Sequence, residues 1–195
     1  MNPITTLFFG PSGAGKGTQV QMLIDALSKR DDRGVVYIEM GALLREQVSQ
    51  GGYTASLTHE VISTGGLMPG FMPIYLMTKR LVEQFTGTQH IIADAVVRRV
   101  SQADAFDEAM RFYGRPEYQV IVIELSEESI LKRLLARGRI DDTEERIRRR
   151  LAWYRADVLP ALDVLKQRGA SIHHIDGEPD TATIHKNILA ALNFS

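Results

Sequence analysis

With 195 residues, 44% of them hydrophobic and 24% charged, and a formal net charge of −1, the chain has the make-up of one soluble globular domain large enough to bury a full core. The near-neutral charge excludes a global attraction to nucleic acid, so any recognition of phosphate has to be local. The absence of cysteine excludes disulfides and thiolate zinc sites, and no apolar run reaches the roughly 20 residues of a membrane span.

The first apolar run, Ile4 to Phe9, reads as a strand. It leads directly into Gly10-Pro11-Ser12-Gly13-Ala14-Gly15-Lys16-Gly17-Thr18-Gln19, which opens a helical pattern from Val20 to Leu27. Glycines at such a junction let backbone N–H groups turn inward around an anion, the helix presents its positive end, and Lys16 can reach the outer phosphates of a nucleoside triphosphate. A plain glycine-rich connection is the alternative, and the flanking strand and helix argue against it. The loop departs from the usual pattern by placing Gly17, not Ser or Thr, after the lysine, with Thr18 next.

Further apolar runs follow at Val35 to Ile38, His90 to Ala93, Val120 to Leu125 and Ser171 to Ile175, each separated from the next by helical pattern. This alternation predicts an α/β fold of three layers, a parallel five-stranded sheet with helices on both faces. Ligands then collect at the carboxyl ends of the strands, where Gly10, Glu39, Asp94 and Ser126 fall. The stretch from Glu39 to Gln89 is too long for one crossover and reads as helices over Gly41–Gln50, Thr54–Ser63 and Phe71–Phe85. Residues 40–70 are therefore expected to form an inserted substrate-binding subdomain within a single core domain, 1–195.

Asp94 closes its strand beside the phosphate loop, a place from which a carboxylate can hold a metal-bound water. Downstream, a helix is expected from Ser126 to Arg137, and a second opens at Asp141 to Glu145 with Thr143 as its cap. Arg133 and Arg137 share one helix face. Alternation sends His173 and His174 to opposite faces, so no shared metal is expected there. Trp153 and Tyr154 are assigned to the packed face. Arg148 to Arg150 sit with Glu144 and Glu145 and have no aromatic platform, so no nucleic-acid partner is expected.

Gly15-Lys16-Gly17-Thr18-Gln19 resembles the loop of the nucleoside monophosphate kinases, adenylate kinase above all. The likeness continues along nearly the whole chain. Asp94-Ala95-Val96-Val97-Arg98 resembles the family's Asp-Gly-Phe-Pro-Arg, with the glycine and proline lost. Ser101-Gln102-Ala103-Asp104 is similar to its Pro-Gln-Ala-Asp, and Met40-Gly41-Ala42-Leu43-Leu44-Arg45 to its Thr-Gly-Asp-Leu-Leu-Arg. Gly66-Leu67-Met68-Pro69 resembles its Gly-Leu-Val-Pro turn.

The resemblance implies a phosphate-loop NTPase fold and transfer of the γ-phosphoryl group of MgATP to AMP, giving two ADP. It implies that Gly13, Ala14, Gly15, Lys16, Gly17 and Thr18 hold the donor phosphates, with Mg²⁺ bridging their oxygens and Asp94 binding it through water. Arg133, Arg137 and a backbone contact near Glu178 would touch the donor nucleotide. The acceptor would meet Met40, Arg45, Gly66, Leu67, Met68, Ala95, Arg98, Gln102, Arg139 and Arg150, with Arg45 and Arg98 on its phosphate and Gln102 reading adenine. Lys16, Arg98, Arg139 and Arg150 would surround the transferring group.

Met40, Ala42 and Ala95 to Val97 depart from the family pattern. They leave open a pyrimidine or broad-specificity monophosphate kinase, and a non-catalytic nucleotide sensor. Residues 137–142 are far shorter than the family's mobile lid, and the lid is expected to be vestigial. A cytoplasmic monomer without a membrane or signal segment is the remaining expectation, with oligomers left open.

Overall fold

The computed structural model describes residues 2–138 and 142–194. Strands β1 (Thr5–Phe9), β2 (Val35–Glu39), β3 (His90–Asp94), β4 (Gln119–Glu124) and β5 (Ser171–Asp176) form one parallel sheet in the order β2-β3-β1-β4-β5. Helix α1 (Lys16–Ser28) follows β1, and α2 (Met40–Ser49), α3 (Tyr53–Ser63) and α4 (Phe71–Gln84) lie between β2 and β3. Helices α5 (Val100–Phe112), α6 (Glu127–Arg137), α7 (Glu144–Trp153), α8 (Leu159–Gln167) and α9 (Thr181–Ala191) complete the chain, with one π-turn, Tyr154–Val158, joining α7 to α8. Helix limits differ from the sequence expectation by at most one residue for α2, α3, α4 and α6, while α1 begins four residues earlier than its apolar pattern, at Lys16 inside the glycine-rich segment.

Successive side chains of a strand point to opposite faces, and the core divides accordingly. Leu7, Phe9, Ile91, Ala93, Val120 and Val122 meet the apolar stripes of α4, α5 and α8, among them Leu81, Phe106 and Leu165. Phe8, Ile92, Ile121 and Ile123 face the other way and meet Val20, Leu23 and Leu27 of α1 and Ile184 and Ile188 of α9. Burial on both faces explains why these strands read as continuous apolar runs. A smaller cluster, Ile130, Leu134, Ile147 and Leu151, joins α6 to α7.

The chain leaves β1 toward β2 and leaves β3 toward β4, on the other side of β1. A crevice opens at that reversal above the carboxyl ends of β1 and β3, where Phe8 stands in register with Asp94. Among the described residues no helix is long and apolar enough to cross a membrane.

Candidate active site

The crevice is a cleft of about 930 Å³, lined by the loop after β1, the ends of β2 and β3, α3, α6 and α7. The loop is shaped by its glycines. Gly13 has φ +87°, and a Cβ on it would lie 2.9 Å from Leu134 Cγ, so a larger residue would meet both backbone strain and a clash with α6. No side chain caps α1 at Gly15, which leaves its first-turn amides directed to the hollow of the loop. Lys16 Nζ donates to the carbonyls of Gly10 (2.8 Å) and Pro11 (2.9 Å). Burial, with the nearby Arg98 and Arg137 charges, pulls its pKa down to about 8 against the opposing pull of Asp94.

Asp94 is paired in register with Glu39 of β2 and is 7% exposed. Burial pushes its carboxyl up, and the Lys16 and Arg98 charges with the nearby Tyr37 hydroxyl pull it back. Its Oδ1 has no hydrogen-bond partner among the described residues. A Cβ on Gly17 would stand 3.9 Å from Asp94 Oδ2, so the glycine leaves open the gap between loop and carboxylate. A buried carboxylate beside a phosphate loop, one oxygen toward Gly17 and the other without a hydrogen-bond partner among the described residues, fits a hydrated divalent cation. No trio of His, Asp or Glu gathers among the described residues, so the ion would be held mainly by substrate phosphates and water, as suits Mg²⁺.

Beyond Asp94 the backbone is strained. Ala95 has φ +54°, the left-handed region that a glycine would occupy freely. The turn aims its carbonyl at Arg98, whose Nε donates to it at 3.1 Å, while the Arg98 amide donates to Gln102 Oε1 at 2.7 Å. Gln102 is buried, and its Nε2 has no partner among the described residues. Across the cleft Arg45 Nη2 lies 3.0 Å from Glu39 Oε1. A Cβ on Gly41 would come within 3.1 Å of Arg45 Nη1, so the glycine gives the guanidinium its room.

On the opposite rim Arg133 donates to the Gly177 carbonyl at 2.9 Å. Glu178 accepts from the Ser126 amide (2.8 Å) and the Ser129 hydroxyl (2.6 Å), bonds that hold its pKa down at about 2. Arg137 donates twice to Asp142, and Arg150 donates to Asp142 Oδ1.

The cleft therefore gathers Gly13, Gly15, Lys16, Gly17, Thr18, Arg45, Gly66, Asp94, Ala95, Arg98, Arg133, Arg137 and Arg150. It does not gather all the expected residues. Ala14, Met40 and Met68 are buried in the core clusters, and Leu67, Gln102 and Glu178 stand outside the lining. Arg139 lies outside the described residues.

Sequence reasoning placed Glu39 at a ligand-collecting strand end without giving it a role, and passed over Asp142, His59 and Trp153 as site residues. Trp153 packs on the core as expected but also lines the cleft, a correction to its assignment as packing alone. The signal available for Asp142 was its place between two arginines, and for Glu39 its place at a strand end.

A parallel sheet whose first strand runs through a glycine-rich loop with a lysine into a helix defines a phosphate-loop nucleotide-binding protein. Comparison narrows the class. A family model described as adenylate kinase matches residues 8–170. An adenylate kinase of Corynebacterium urealyticum is 34% identical over 187 residues, 96% of this chain and 98% of that protein. An adenylate kinase of Thermus thermophilus is 32% identical over 190 residues, 95% of each chain. The chain belongs to the adenylate kinase family.

Proposed function

We infer that the protein is an ATP:AMP phosphotransferase, moving the γ-phosphoryl group of MgATP to AMP to give two ADP. An oxygen of the AMP phosphate attacks the γ-phosphorus, the bond to the β–γ bridging oxygen breaks, and ADP leaves. The observation that carries this reading is the gathering of Lys16, Arg98, Arg137 and Arg150 in one cleft around Asp94. Phosphoryl transfer rewards fixed positive charge around the equatorial oxygens more than any covalent step. A protein that only senses one nucleotide needs no cations arranged for two.

In this reading the loop amides and Lys16 hold the donor phosphates, Thr18 and Asp94 flank the Mg²⁺ position, and Arg133 and Arg137 face the donor. Bound Mg²⁺ supplies charge neutralisation on the phosphate oxygens. Arg45 and Arg98 hold the acceptor phosphate, Arg150 and Arg139 neutralise the transferring group, and residues 40–70 carry the acceptor base. The short segment 137–142 replaces a mobile lid, leaving closure to that subdomain.

One observation favours a broader acceptor range. The Gln102 carbonyl already receives the Arg98 amide and its buried Nε2 has no partner among the described residues, so of its two amide atoms Nε2 is the one that would donate to a base once the acceptor opens the pocket to it. A donor suits the ring acceptor of adenine or cytosine and faces the ring N–H of guanine or uracil. The order expected is AMP, then CMP, with GMP and UMP far behind. Initial rates with the four monophosphates test it, and Gln102→Ala should narrow the AMP preference over GMP by roughly tenfold. A wild-type preference for UMP or CMP would overturn the adenine reading.

A further inference from the structure

The chain's single tryptophan, Trp153, ends α7 and touches both ends of the proposed acceptor pocket. At one end its ring lies under Arg98, the guanidinium carbon 5.5 Å from the ring centroid. At the other its indole N–H donates to the Gly65 carbonyl at 3.1 Å.

That second contact has a local cause. Helix α3 closes with the Gly65 amide on Ile62 O (3.1 Å) and the Gly66 amide on Val61 O (2.9 Å), with Gly65 at φ +69°. The closing turn leaves the carbonyls of Thr64 and Gly65 in need of donors from elsewhere. Helix α7 supplies them, Arg149 Nη1 to Thr64 O at 3.2 Å and Trp153 to Gly65 O. Gly66, the next residue, lines the cleft.

Arg98 is a cation drawn out of water, and an aromatic face is the surface against which such a guanidinium gains most. Tryptophan offers the strongest such face together with a ring N–H donor.

We propose that Trp153 is a positioning residue for the acceptor, fixing the distance between the phosphate-holding Arg98 and the 64–66 turn at the base end of the pocket. The proposal rests on the transfer reading above. Trp153 sets acceptor affinity and leaves donor affinity to the loop and α6.

The test is steady-state kinetics on Trp153→Leu and Trp153→Phe, with each substrate varied in turn, beside an AMP titration of wild-type tryptophan fluorescence without ATP. Leucine should raise the KM for AMP roughly tenfold, the sum of a cation–π contact and a hydrogen bond, and move the KM for ATP less than about twofold. Phenylalanine keeps a face for Arg98 and should recover part of the loss. Wild-type emission should shift on AMP binding.

Equal changes in both KM values, or none, in variants with wild-type melting temperatures would overturn the proposal, as would emission indifferent to saturating AMP. If the leucine variant does not fold, the phenylalanine variant and the titration decide. If wild type makes no ADP from ATP and AMP, the transfer reading fails, and the titration, which needs no turnover, still decides for Trp153.

Discussion

Asp142 grips Arg137 through two hydrogen bonds, Nε to Oδ2 at 2.8 Å and Nη2 to Oδ1 at 2.9 Å, and shares Oδ1 with Arg150 at 2.7 Å. One buried carboxylate thus ties together the two ends of segment 138–141 and aims two cleft cations before any nucleotide arrives. Fixed charges of this kind need no reorganisation when the transition state forms. Asp142→Asn should therefore lower kcat by roughly ten- to a hundredfold. It should cost about 1–3 kcal/mol of stability, less than a fully buried pair because the Arg137 side chain is 33% exposed.

The same pair has a pH signature. Burial alone would raise the Asp142 pKa, and hydrogen bonds and charge from Arg137 and Arg150 outweigh it, holding it below the ordinary 3.8. A carboxylate depressed on folding contributes stability that is present above its unfolded pKa and is lost as pH falls through its folded one. Acid unfolding followed below about pH 4 should show a shallower dependence in Asp142→Asn than in wild type.

Lys16 carries the opposite sign. With its pKa lowered from 10.5 to about 8, the free protein releases that proton above pH 8, and bound phosphates should restore it. ATP binding then takes up a proton, and its affinity should fall as pH rises above 8, by at most about tenfold per unit. Calorimetric titrations of ATP in two buffers of different ionisation enthalpy read this uptake directly. Lys16→Met should remove the slope and cost at least ~10²-fold in turnover.

The phosphate loop was legible in the sequence because its chemistry is contiguous, ten residues between a strand and a helix. The central strands β1, β3 and β4 were legible because strands buried on both faces must be apolar throughout. Asp142 and Trp153 were not, because their contacts depend on how α6, α7 and the end of α3 pack. Trp153 and Gly65 stand 88 residues apart. Met40 shows the converse, a residue matched to the acceptor pocket by its neighbours whose side chain the core takes in.

Ala95 stores strain where the family pattern has glycine. At φ +54° an alanine side chain crowds its own backbone, and glycine relieves this at some cost in unfolded-state entropy. Ala95→Gly should stabilise the protein by about 0.5–1 kcal/mol, read as a higher urea midpoint at unchanged slope. Its effect on kcat should stay small, because the Ala95 carbonyl that holds Arg98 remains.

Product stoichiometry tests phosphoryl transfer in this cleft most directly. Purified protein given ATP, Mg²⁺ and AMP should form two ADP for each AMP consumed, with little inorganic phosphate, and Lys16→Met should abolish nearly all of it. Failure of wild-type protein to form ADP in an AMP-dependent way, or ADP formation matched by phosphate release whether or not AMP is present, would contradict transfer between two nucleotides in this cleft.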